Sequence, residues 1–188
     1  MRDFIKECLK ENINTTKLLA SKKIHEIKKI SKAIIKAYKR KRKVVFFGNG
    51  GSAADAQHLA AEFVCRFKKN RSALNAIALT VNTSILTAIG NDFEYKDIFS
   101  RQVEAIVQKG DVVVGISTSG TSPNVIEAIK KAKEMGAVTV GFTKQGTLLA
   151  DEADIALDVP SDDTPRIQEA HITVGHIICA IVENELFA

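Results

Sequence analysis

The hydrophobic pattern changes its period near residue 43. Before that point Ile24, Ile27, Ile30 or Ser31, Ile34 and Tyr38 recur every three or four residues. Such spacing gathers side chains on one face of a helix, so it predicts helix over residues 2–40, with a break near Asn12 to Thr16. Beyond it the apolar residues come in short, mostly continuous runs: Val44–Gly48, Ala76–Leu79, Val112–Ile116, Val138–Phe142 and Ile155–Val159. Unbroken rather than alternating runs mark strands buried on both faces. Helical spacing returns between them, over Ser52 to Phe67, Asn82 to Ile89, Tyr95 to Val107, Pro123 to Met135 and Arg166 to Leu186. Strands alternating with helices predict an α/β domain with a five-stranded parallel sheet. Ligands of such sheets bind beyond the carboxyl ends of the strands. The segments after Phe47 and after Ile116 are therefore the first places to look for chemistry.

Both segments carry phosphate-type chemistry. Gly48-Asn49-Gly50-Gly51-Ser52 joins a predicted strand to a predicted helix. Its glycines let backbone approach a ligand, and the helix after it offers free N–H groups to an anion. Ser117, Thr118, Ser119, Thr121 and Ser122 crowd hydroxyls before Pro123, which suits a first helical position. Neither segment matches a dinucleotide or nucleoside triphosphate fingerprint. Two such loops on one sheet point to a phosphate monoester.

Composition narrows the picture little further. The chain has 188 residues, 45% hydrophobic and 26% charged, with no linker or repeat, which fits one domain over 1–188. The net charge of +5 owes much to a run that includes Lys22, Lys23, Lys28, Lys29, Lys36, Lys39, Arg40, Lys41, Arg42 and Lys43. With few interleaved aromatics and no recognition motif, that run reads as a solvated face that attracts anionic substrates, not as a nucleic-acid site. Cys8, Cys65 and Cys179 are widely spaced and odd in number, which fits a reducing cytoplasm rather than a disulfide framework. No apolar run approaches the ~18 residues of a membrane span, so a soluble cytoplasmic protein with no membrane partner is expected.

The two loops resemble the phosphosugar loops of the sugar isomerase (SIS) domain family. Asp55–Glu62 and Arg166–His171, running on to His176, carry the same resemblance, which covers essentially the whole chain. It implies the SIS fold, a three-layer α/β sandwich with a long N-terminal helix, residues 1–40 serving in oligomer packing. It further implies a homotetramer with active sites at subunit contacts and one zinc ion (Zn2+) per subunit. The implied activity converts sedoheptulose 7-phosphate to D-glycero-D-manno-heptose 7-phosphate through an enediol, the first step of heptose precursor synthesis for bacterial surface glycans.

Residue by residue, the resemblance assigns His58, Glu62, Gln168 and His176 to the metal, Glu62 as base and His176 as acid. It assigns Asn49, Gly50, Gly51, Ser52, Glu62, Asn91, Asp92, Ser117, Thr118, Ser119, Ser122 and Gln168 to the sugar phosphate. Elementary chemistry agrees in part. His58 and Glu62 are four apart on a predicted helix and share a face. Nitrogen and oxygen donors suit Zn2+, and an enediol route needs a base, an acid and a fixed phosphate. Gln168 and His176 are harder to combine, because eight residues of helix span roughly 12 Å. Either the helix is distorted, Gln168 precedes it, or the two residues serve different subunits. His171 reads as a packing or orienting residue. The apolar stripe over residues 24–38 looks too long for one sheet face to cover, which also suggests self-association. Two other readings stay open: a non-enzymatic relative that binds the replication initiator, which lacks residues like Glu62 and His176, and an isomerase of another ketose phosphate.

Overall fold

The computed structural model describes residues 1–187. Helix α1 (Arg2–Lys22) and helix α2 (Ile24–Lys39) lead into β1 (Val44–Gly48), α3 (Gly51–Val64), β2 (Ala76–Ala78) and α4 (Thr83–Asp92). A single 3-10 turn at Tyr95–Asp97 precedes α5 (Ser100–Ile106), β3 (Val112–Ile116), α6 (Pro123–Glu134) and β4 (Val138–Lys144). Then come α7 (Leu148–Glu152), β5 (Ile155–Val159) and α8 (Thr164–Leu186). All strand pairs are parallel, in the order β2-β1-β3-β4-β5. The crossovers cover both faces. Ile30 and Ile34 of α2, Leu59 and Phe63 of α3, and Val174 and Ile178 of α8 pack on Phe46, Val114 and Phe142. Val103 of α5, Val125 and Ile129 of α6 and Leu149 of α7 pack on Val45, Phe47 and Val113. Helix, sheet and helix make the three layers expected, and the full burial of β1 and β3 explains their unbroken apolar runs.

The N-terminal helical segment breaks at Lys23, not near Asn12 to Thr16. Lys23 leaves helical geometry (φ −119°, ψ 8°), and its Nζ lies 2.7 Å from Asp158 Oδ1 on β5. Asn12 stays inside α1 and donates to Glu169 Oε2 at 2.8 Å. A lysine at a bend is unremarkable in the sequence; its meaning comes from a carboxylate 135 residues away. The stripe on α2 is covered by the chain's own sheet and by α8, since Ile27, Ile30, Ser31 and Ile34 are buried. Within the two N-terminal helices the exposed large apolar positions are Phe4, Ile5, Leu9 and Ile13 of α1 and Ile24 of α2. Among the described residues no helix is long and apolar enough to cross a membrane.

His171 of α8 is enclosed, with 1% of its surface exposed. Its ring packs on Phe142 (centroids 5.6 Å apart), and Nε2 lies 3.2 Å from the Thr143 carbonyl. Nδ1 has no partner among the described residues. Burial pushes the imidazole pKa down to about 4 from 6.5, only partly offset by the bond to Thr143. The unfolded chain therefore binds a proton that the folded chain refuses, and stability falls as pH drops from about 6.5 toward 4. By pH 5 the loss from this residue should reach about 2 kcal/mol. Calorimetric melting at pH 7 and pH 5 should show a smaller acid loss in His171→Leu than in the parent. Equal losses would place the acid lability elsewhere.

Candidate active site

The first loop is built by close approach. A Cβ on Gly48 would lie 2.7 Å from the Ile116 carbonyl and 2.8 Å from Ser52 Cβ, so only glycine lets the ends of β1 and β3 meet the start of α3. Gly50 has φ +54°. A Cβ on Gly51 would lie 2.5 Å from Gln168 Nε2, so the α8 amide rests directly on this turn.

The second loop turns on Ser117. Its Oγ lies 3.3 Å from Ser119 Oγ and 3.0 Å from Ser122 Oγ, and it accepts the Gly120 N–H at 3.1 Å. Ser122 occupies the N-cap of α6, yet its hydroxyl makes no cap bond and turns to Ser117 instead. A capping serine normally bonds the helix's own N–H groups; here the hydroxyl is turned into the loop. Asn49, Ser52, Ser117, Thr118, Ser119 and Ser122 line one cavity of about 70 Å³, with Gly50 and Gly51 in the turn beside it. Asn49 and Asn124 tie the two loops by reciprocal amide bonds, each 2.9 Å. Asn124 was not singled out from the sequence. Its position after Pro123, at a helix start facing the other loop, was the available signal.

A second cluster lies along α3 and α8. His58 Nε2 is 2.8 Å from His176 Nε2 and 3.4 Å from Glu62 Oε1. Ligand atoms of all three residues lie within 4.8 Å of one another. Tetrahedral zinc with bonds of about 2.0–2.2 Å separates its ligand atoms by roughly 3.3 Å, so this donor set and spacing fit a divalent transition ion. Phe67 stacks on His176, with centroids 5.6 Å apart. Gly175 lets α8 approach closely, since a Cβ there would meet Leu59 Cδ2 at 2.5 Å. Cys179, three residues after His176, is buried in the core and outside this group; burial pushes its thiol up to about 12.

α8 is continuous from Thr164 to Leu186, so Gln168 stands two turns before His176 on one helix. Its Nε2 donates to Asp55 Oδ2 at 3.3 Å. Asp55 was also missed; it shares a helix face with His58, three residues on. Burial raises its pKa, partly offset by the Gln168 bond and the neighbouring His58. Asn91 and Asp92 lie inside α4 rather than after it, both exposed, and bond each other at 2.8 Å. The chain itself does not carry them into the loop cavity.

A parallel α/β domain with hydroxyl-rich and glycine-rich loops at neighbouring strand ends defines a phosphosugar-type domain, and the SIS domain profile matches residues 9–144. The phosphoheptose isomerase of Clostridium acetobutylicum is 55% identical over 190 residues, covering 100% of this chain and 97% of the relative. The solved phosphoheptose isomerase GmhA of Neisseria gonorrhoeae superposes with a TM-score of 0.92 at 38% identity, covering 97% of this chain and 98% of that one. That of Francisella tularensis gives 0.93 at 32% identity, covering 97% of each. The chain belongs to the SIS domain family and, within it, to the phosphoheptose isomerases.

Proposed function

We propose that this chain interconverts sedoheptulose 7-phosphate and D-glycero-D-manno-heptose 7-phosphate through an enediol, supplying heptose for bacterial surface glycans. The observation that carries this is the path from loop to cluster along α3. Ser52 and His58 are six residues apart on that helix, about 9 Å, the scale of an extended sugar phosphate. The loops hold the phosphate through Ser52, Ser117, Thr118, Ser119 and Ser122, with Asn49, Gly50 and Gly51 shaping the turn. Glu62 directs Oε1 toward His58, which leaves Oε2 to take the proton from the sugar carbon. His176 moves protons at the sugar oxygens. His58, Glu62, Gln168 and His176 would hold zinc, which supplies polarisation of the carbonyl when bound. Gln168, beside Gly51 and Asp55, would serve the substrate as well. Incubation with a panel of ketose phosphates, with products read by NMR, tests the assignment. Turnover of a different ketose phosphate in preference to the seven-carbon one would overturn the choice of substrate.

The phosphate loops should govern binding more than turnover. Ser122→Ala removes a donor to a charged oxygen, worth roughly 1.5–3 kcal/mol, or a rise of about 10-fold or more in KM. Steady-state kinetics check this. An unchanged KM, together with equal use of the unphosphorylated sugar, would remove the loops from phosphate binding.

The active unit is a cytoplasmic homotetramer of this single domain. Phe4, Ile5, Leu9 and Ile13 leave α1 with an apolar face. Leu19, Ile24, Ile27, Val174, Ile177 and Ile181 line a neighbouring groove of about 550 Å³. Exposed apolar surface on this scale marks an association site, and closed symmetry is the usual result. Sedimentation equilibrium should give four chains; a monomer that is fully active would contradict it.

A further inference from the structure

A buried ion pair behind the site ties the two helices that carry its reactive groups. The last carbonyls of a helix have no partner inside it. At the end of α3 Arg71 provides one, donating from Nη2 to the Glu62 carbonyl at 2.8 Å and from Nη1 to the Phe63 carbonyl at 2.7 Å. Arg71 Nε donates in turn to Glu183 Oε1 on α8 at 3.1 Å. The two side chains are 2% and 3% exposed. Glu183 also accepts the backbone N–H groups of Phe67 at 3.1 Å and of Lys68 and Lys69 at 2.8 Å each. Burial alone would raise the Glu183 pKa, but these N–H groups and Arg71 outweigh it and hold the carboxyl below its ordinary range.

A buried ion pair is a poor stabiliser, since apolar packing of the same volume does as well or better. Its geometry is more informative. Glu183 lies seven residues after His176, two turns along the same face of α8. Phe67, whose N–H Glu183 holds, stacks on the His176 ring with an interplanar angle of 30°. The contacts close a circuit: Glu62 backbone, Arg71, Glu183, Phe67, His176. We propose that Arg71 and Glu183 are positioning residues that set Glu62 against His176, with Phe67 as the bearing on the imidazole. This rests on the assignment of Glu62 and His176 as base and acid made above.

Glu183→Gln keeps the shape but removes the charge that orients Arg71 and replaces one accepting oxygen with an NH2 group facing N–H donors. Phe67→Leu removes the ring contact at a half-buried position, without touching the ion pair. Both should fall in kcat by about 10-fold or more, the scale of a sub-ångström to 1 Å misplacement, with KM within about twofold of the parent. Asp111→Asn is the control. It disrupts another buried pair, Lys43–Asp111 at 2.6 Å, whose other bonds run to the Lys43 and Gln108 backbone and not to the Arg71–Glu183 circuit, and should lower Tm while leaving kcat of the folded protein unchanged. The proposal is overturned if folded Glu183→Gln and Phe67→Leu keep the parental kcat, or if Asp111→Asn lowers kcat as much. Glu62→Gln, assayed beside them, separates the two levels. If it is fully active, the assignment of Glu62 as base fails. If it is inactive while Glu183→Gln and Phe67→Leu are fully active, only the positioning role fails.

Discussion

Glu62→Gln should still bind the sugar phosphate but turn it over about 10²-fold more slowly or worse, the loss expected for a positioned base. The substitution keeps the volume and one oxygen, so the contact toward His58 can persist and the helix has no reason to move. It removes the negative charge that accepts a proton from carbon. The phosphate loops lie about three turns earlier on α3, at Gly51 and Ser52, so binding of the phosphate end should be untouched. Steady-state kinetics should therefore show a fall in kcat with KM nearly constant, the pattern of an interaction made only in the transition state. If the folded variant keeps the parental kcat, Glu62 is not the base, and His176 takes its place.

Metal removal should have an effect of similar size. His58, Glu62 and His176 bring two imidazoles and a carboxylate within 4.8 Å, and the two ring nitrogens stand only 2.8 Å apart. An ion would satisfy both ring nitrogens and the carboxylate together. Protein purified without chelator should contain about one zinc per chain, the stoichiometry of one donor set per domain. Chelation should lower activity by about 10²-fold or more, and added Zn2+ should restore it. His58→Ala should lose the metal while keeping the fold, since His58 is 48% exposed. Full activity in metal-free protein would remove the ion from the reaction and leave the acid–base pair standing.

The legible parts of the molecule were those written in local pattern. β1 and β3 match their apolar runs end to end, because strands buried on both faces admit no polar interruption; β5 matches in its bounds although Asp158 interrupts it and it is only partly buried. The two loops were legible as turns for a different reason: glycine and short hydroxyl residues gather where a strand gives way to a helix start. α7 was missed because five residues with one buried leucine carry no period. The bend at Lys23, the Asn49–Asn124 tie and the Arg71–Glu183 strut were missed for a different reason. Each is an ordinary polar residue whose role depends on a partner 75 or more residues away. Gln168 illustrates the same limit from the other side. Its role beside His176 came from resemblance, and its contacts with Gly51 and Asp55 depend on a helix more than 100 residues earlier in the chain.

The most direct test of a sugar-phosphate isomerase working through an enediol at Glu62 is isotope exchange. Sedoheptulose 7-phosphate incubated with the protein in D2O should give an aldose product carrying deuterium at C2, and the recovered ketose should gain deuterium at C1, both read by NMR. Glu62→Gln should slow this exchange in step with its loss of turnover. Product formed at the normal rate with no deuterium at C2, or exchange undiminished in folded Glu62→Gln, would contradict the proton route through this site.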